Sequence, residues 1–253
     1  MTSWLVLDID GTICFDGLSI DARIVEAVHG AHAAGWRMVF ASARPVRDQA
    51  GVLADLFPDA LRIGANGAMA EVHGELRVLE AFESAQRDRI LAVLDGDGAQ
   101  FVADGAWDYA HNLPDDHVFL GRIDSHGRAK RVPLEELDSI LKLAVLDHHD
   151  AAQLTASLVG CGCAVTTHRA EAHLDVAPAG VDKRTALERL GINEYVAYGN
   201  DLNDRRLLSG ADYAVGVGSG DGIHDVTHRR LTADPGVVAA SISALVAGRR
   251  PRD

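Results

Sequence analysis

Asp8-Ile9-Asp10-Gly11-Thr12 constrains this chain more than any other stretch, because it ends an apolar run with two carboxylates on one side. Trp4-Leu5-Val6-Leu7 has the unbroken hydrophobic character of a strand buried on both faces of a parallel sheet. Side chains two apart in an extended segment project to the same side, so Asp8 and Asp10 leave the strand together. Gly11 lets the backbone turn away at once. Two like charges so close repel unless a cation, a shared proton or a chemical step involves one of them. A strand-end Asp that only shapes a turn is the simpler explanation of an Asp-Gly pair. The rest of the chain decides between the two.

A length of 253 residues suits one large domain or a core with a smaller insert. The formal net charge of −13 disfavours nucleic acid and anionic membranes as partners, though cations gathered in one site can still take an anionic substrate. No apolar stretch approaches the roughly 20 residues needed to cross a bilayer. The first residues lead into a strand without the pattern of a secretory signal, so a cytoplasmic location is expected. Cys14, Cys161 and Cys163 are too few for a disulfide framework and read as buried small hydrophobes.

The first 70 residues alternate in the βαβ manner. Asp21 is placed to cap a helix running to about Ala34; Arg37–Ala41 reads as a strand, and Pro45 opens a helix to about Leu56. A strand at Leu61–Gly64 and a hairpin of Met69–Val72 with Leu76–Leu79 follow. From about residue 80 the order becomes α+β. A helix is expected near Ser84–Leu94, strands at Gln100–Ala103, His117–Ile123 and Ile140–Leu146, a helix from Asp150 to Val159, and strands at Ala164–Thr167 and His173–Val176. The βαβ rhythm resumes after Pro178, with helices near 182–190, 204–208 and 236–247 and strands at Tyr195–Tyr198 and Ala214–Val217. The expected fold is α/β, a Rossmann-like parallel-sheet core formed by residues 1–79 and 174–253, with an inserted α/β cap at 80–173.

Chemistry-bearing residues gather at the C-terminal ends of the expected strands or at the helix that follows, where open α/β sheets bind ligands. They are Asp8 and Asp10, Ser42 with Arg44, Lys183, and the loop Gly199-Asn200-Asp201-Leu202-Asn203-Asp204. Each has a plain alternative as a cap, a solvated lysine or an Asx-rich turn. Together they supply a carboxylate nucleophile, a second carboxylate, a hydroxyl, a cation and an acidic loop.

These motifs, in this order, resemble the haloacid dehalogenase superfamily, and within it the Cof-like sugar-phosphatase branch. Asp8–Thr12 matches its first motif, Ala41-Ser42-Ala43-Arg44-Pro45 is similar to A-T-G-R-P, and Asn66-Gly67-Ala68 matches N-G-A. Pro178–Lys183 resembles the approach to the family lysine, and Gly199–Asp204 resembles G-D-x-x-N-D with Asn200 in the place of Asp. The resemblance implies a Mg²⁺-dependent phosphatase of small phosphorylated metabolites, monomeric or homodimeric. Asp8 would be the nucleophile, Asp10 the general acid and base, and Lys183 the charge-neutralising cation. Mg²⁺ would be held by Asp8, the Asp10 carbonyl, Asn200 and Asp204. Gly11, Ser42, Ala43, Arg44, Asn66, Lys183 and Asn203 would hold the phosphoryl group. Two alternatives stand beside this reading: a phosphotransferase or phosphomutase using the same aspartyl-phosphate, and a non-catalytic phospholigand-binding protein.

Trp107, Tyr109 and His111, in a polar stretch expected to be a loop, are candidates for substrate contacts, with ordinary packing the plainer reading. Asp147-His148-His149-Asp150 has the composition of a metal cluster, but capping by Asp150 explains it more simply. The insert is expected to select the substrate while the core supplies the chemistry.

Overall fold

A computed structural model describes residues 3–53, 56–168, 173–219 and 222–248. Its first sheet has eight strands in the order β13-β12-β11-β1-β2-β3-β4-β5. Here β1 is Trp4–Asp8, β2 Arg37–Ala41, β3 Leu61–Gly64, β4 Met69–Val72, β5 Glu75–Val78, β11 Tyr195–Gly199, β12 Tyr213–Val217 and β13 Arg229–Leu231. The pairs from β13 to β3 are parallel, and β4 and β5 add an antiparallel hairpin. Leu5, Val6 and Leu7 are each at most 1% exposed, as an apolar run covered on both faces must be.

Helices cover both faces. On one side α1 (Ala22–Ala33) and α7 (Pro235–Val246) pack Ile24, Val28, Val238 and Ile242 against Leu5, Leu7 and Phe40. On the other, α5 (Lys183–Arg189) and α6 (Arg205–Ser209) set Ala186, Leu187, Leu207 and Leu208 against Val6, Val39 and Ala197. Asp21 caps α1 as expected, its side chain accepting from the Arg23 N–H. The chain places β2 and β3 on one side of β1 and β11 to β13 on the other. The end of β1 is therefore the topological switch point of the sheet, the place such folds reserve for a ligand.

The second sheet is antiparallel and five-stranded, in the order β7-β6-β8-β10-β9. Its strands are β6 (Gln100–Asp104), β7 (Tyr109–His111), β8 (Lys142–Asp147), β9 (Cys163–His168) and β10 (His173–Pro178). Helices α3 (Ser84–Asp97) and α4 (Ala151–Gly160) cover one face through Ile90, Leu94, Leu154 and Leu158.

Four expectations need correction. The boundary at 173/174 falls inside the second sheet, because β10 pairs along its length with β9 and reaches β8 on its other side. His117–Ile123 is not a strand: Val118–Arg122 forms a 3₁₀ helix, with the His117 side chain accepting from the Phe119 N–H. Tyr109–His111 is a strand where a loop is expected, and β13 has no counterpart among the expected elements. Helix α2 (Val46–Leu53) is described as far as Leu53, and Ala54 and Asp55 of the expected helix lie outside the described residues. Among the described residues no helix is long and apolar enough to cross a membrane. All three cysteines are free thiols.

Candidate active site

Asp8, Lys183 and Asp204 come from three separate elements and meet at the switch point. Lys183 begins α5, where Asp182 closes a capping box with Thr185. Its ammonium donates to Asp8 Oδ1 at 2.5 Å and to Asp204 Oδ1 at 2.6 Å, with the lysine only 1% exposed. Burial works against a charged lysine, but Asp204 and then Asp8 outweigh it and hold the ammonium protonated. Burial, followed by the charge of Asp204, pushes the Asp8 carboxyl up to about 7 against the pull of Lys183. Three formal charges in this contact sum to −1, so the site favours a further cation.

Thr12 closes the other side of Asp8. Its hydroxyl contacts Asp8 Oδ2 at 2.8 Å and Asn200 Oδ1 at 3.2 Å. A hydroxyl has one hydrogen to share between these two acceptors. Gly11, at φ +75°, presses its backbone against Asn200, and a Cβ there would fall 2.1 Å from Asn200 Nδ2. Asn200 therefore faces the site, whereas Asp201 is exposed and accepts from the Leu202 N–H. Asp204 is spent inward: Oδ1 takes Lys183, and Oδ2 takes the N–H groups of Asn200 and Asp201 at 2.9 and 3.2 Å.

No group of three His, Cys, Asp or Glu side chains stands ready to hold a metal among the described residues. What the site offers instead is mixed oxygen donors. Asp8 Oδ2 and the neutral Asn200 Oδ1 converge on one hydroxyl, which fits a hard cation such as Mg²⁺ that keeps several waters.

Asp10 is gripped by Arg44, whose Nε and terminal nitrogen reach its two oxygens at 2.8 and 2.5 Å. The same guanidinium donates to the Gly17 carbonyl at 3.0 Å. Arg44 is thus committed to Asp10, a partnership that its sequence position does not reveal. Ser42 is 1% exposed, and its Oγ accepts from the Arg44 N–H at 3.0 Å, leaving the hydroxyl hydrogen for a ligand.

The loop after β2 and the turn after β3 are strapped together. Asn66 N–H donates to the Ser42 carbonyl and Ala65 N–H to the Arg44 carbonyl. Ala65 and Asn66 both have positive φ, 51° and 57°. Gly67 lets this turn press on α5, since a Cβ there would meet the Asp182 carbonyl oxygen at 2.3 Å. The Asn66 amide lies 3.5 Å from Asn203 Nδ2 through its oxygen and donates to Asp175 at 3.0 Å.

Sequence reasoning does not single out Thr12, although it closes the first motif. Lys142 and Asp175 are missed altogether, because nothing in the linear chain pairs them with residues 43 and 66. Tyr109 and His111 sit in β7 with their rings stacked, and the Arg47 guanidinium lies 5.1 Å from the Tyr109 ring centre. Asp150 caps α4 through two backbone N–H groups, the plainer of its two readings.

Residues 5–224 match the family model described as haloacid dehalogenase-like hydrolase. Over 222 residues the chain is 26% identical to the HMP-PP phosphatase of Cronobacter sakazakii, covering 80% of this chain and 79% of that protein. A sugar phosphatase of haloacid dehalogenase subclass IIB superposes with a TM-score of 0.79 at 20% identity, over 97% of this chain and 100% of the other. A superfamily phosphatase from Bacteroides thetaiotaomicron gives a TM-score of 0.78 at 21% identity, over 97% and 96%.

Proposed function

Taking as premise that the chain belongs to the haloacid dehalogenase-like hydrolases, we propose that it is a phosphatase of that family and hydrolyses phosphate monoesters of small metabolites through an aspartyl-phosphate on Asp8. The observation that carries this reading is the Asp8–Lys183–Asp204 contact at the switch point of the sheet. Binding a phosphorylated ligand needs no nucleophile; forming a bond to phosphorus does.

Asp8 attacks phosphorus while the bond to the leaving oxygen breaks, and Asp10 gives its proton to that oxygen. Asp10 then takes a proton from water, whose oxygen attacks phosphorus and releases phosphate from Asp8. Arg44 orients Asp10 by holding both of its oxygens, and freeing one lets Asp10 turn to the leaving group. Lys183, the Ser42 hydroxyl and Asn203 bind the transferring phosphoryl oxygens, and the backbone at Gly11 and Ala43 shapes the cradle. Asp8, the Asp10 carbonyl and Asn200 would hold Mg²⁺, with Asp204 fastening the lysine and the loop behind them. The ion would neutralise charge on the phosphoryl group.

We assign residues 80–178 to a cap that reads the leaving group. The test is phosphate release from a panel of sugar, polyol, glycerate and nucleotide phosphates and HMP-PP, with Mg²⁺ and with chelator. Release that requires Mg²⁺ and is lost in Asp8→Asn supports the reading. Release that survives in Asp8→Asn contradicts it.

A further inference from the structure

One face of the second sheet carries buried charges among apolar residues, and two of these ions touch the phosphate-binding loops. Strand register puts Lys142 beside Asp104, and Ala144 beside Asp175, so these charges share the face opposite α3 and α4. Lys142 is 6% exposed and Asp175 2%. The Lys142 ammonium donates to Asp175 Oδ1 and to the Ala43 carbonyl, each at 3.1 Å. Asp175 Oδ2 accepts from the Asn66 amide at 3.0 Å. Burial works against a charged Lys142, but Asp175 and then Asp104 outweigh it and favour the ammonium.

Both core contacts fall on the same unit. Ala43 lies between Ser42 and Arg44, whose carbonyls accept from Asn66 and Ala65. The Lys142–Asp175 pair therefore clamps the 42–44 loop and the 65–67 turn from above, while α5 supports the turn from below. Two consecutive residues at positive φ need such support, since left-handed backbone is costly outside glycine. If only docking were required, an apolar contact would serve at least as well, because a buried ion pair often contributes little net stability.

We propose that Lys142 and Asp175 are positioning residues for phosphoryl transfer: docking of the second sheet sets the loops that carry Ser42, Arg44 and Asn66. The insert then contributes to the chemical step itself as well as to substrate choice. The claim rests on the phosphatase reading for its kinetic consequence, but its structural content can be measured separately.

The experiment compares Lys142→Met, Asp175→Asn and the double variant Lys142→Met/Asp175→Leu with wild type. The double variant removes both charges at once and is the control for stability, since neither member of the pair is left buried without the other. With 4-nitrophenyl phosphate, a substrate too small to exploit a leaving-group pocket, its kcat should fall at least about tenfold while its melting temperature stays near wild type. Backbone hydrogen exchange should quicken at residues 40–47 and 63–69 and stay unchanged in β6, β8 and β10. Wild-type kcat and wild-type exchange in a folded double variant would overturn the proposal. Should wild type hydrolyse no phosphate ester, the phosphatase reading fails, and exchange at 40–47 and 63–69 still decides whether the pair sets the loops. If the double variant does not fold, Asp175→Asn, which keeps an acceptor for Lys142 and removes the charge, is read in the same two ways.

Discussion

At Asp8 the native structure holds a carboxyl whose proton the unfolded chain would release near pH 4 and the folded one near pH 7. The native state binds more protons over that window, so the contribution of this group to stability is full below it. It is lost as pH rises toward 7. Metal-free Asp8→Asn protein should therefore melt above wild type at pH 8 by at least about 2–4 °C, the shift that roughly 1 kcal/mol produces at this size. The gap should shrink by pH 5. Equal melting temperatures at pH 8 in the presence of chelator would show that Lys183 fully offsets the burial of Asp8. Asn200 offers a second test at this scale. Its amide oxygen shares the Thr12 hydroxyl with Asp8 while Asp201 is exposed, so in the proposed site a neutral ligand would stand where the family pattern has a charged one. Asn200→Asp should lower the Mg²⁺ concentration for half-maximal activity, because charge contributes much of the affinity of hard oxygen ligands. Asn200→Ala should raise that concentration, and Asp201→Ala should leave it unchanged. A Mg²⁺ titration that responds at 201 and not at 200 would move the ligand by one residue.

The decisive contacts between elements are buried ions. Arg47 of α2 pairs with Asp104 of β6, both side chains at most 5% exposed, and also donates to the Trp107 carbonyl. Arg47→Met leaves Asp104 buried without this partner and should cost about 3–5 kcal/mol. Calorimetry should show this as loss or separation of the unfolding transition of the second sheet, and an unchanged thermogram would contradict it. Such contacts explain what the sequence hides. The elements of the first sheet are legible because their signals are local: an apolar run at Trp4–Leu7, a capping Asp21, Pro45 at a helix start. The 118–122 turn is misread as a strand because Val118, Phe119 and Leu120 have strand composition, while a side-chain cap from His117 bends them. Strand β13 is only three residues long and pairs along a single edge, too short for any pattern to declare it.

Across the whole molecule, a chain of net charge −13 encloses two of its three lysines, Lys142 and Lys183, at the junction of the two sheets. The candidate site was readable as a set of motifs because each lies at a strand end or, for Lys183, at a helix start; the parallel order of the first sheet gathers the strand ends, and α5 brings the lysine to them. The clamp on those loops was not readable, since Ala43 and Lys142 are joined only by how the second sheet docks. An aspartyl-phosphate on Asp8 is open to direct chemical detection. Quenching a turnover mixture with borohydride reduces an acyl-phosphate at an aspartate to homoserine, which peptide mass spectrometry locates. Homoserine is expected at position 8 only when substrate and Mg²⁺ are both present. Full turnover with Asp8 unmodified, or with the modification at another residue, would contradict it.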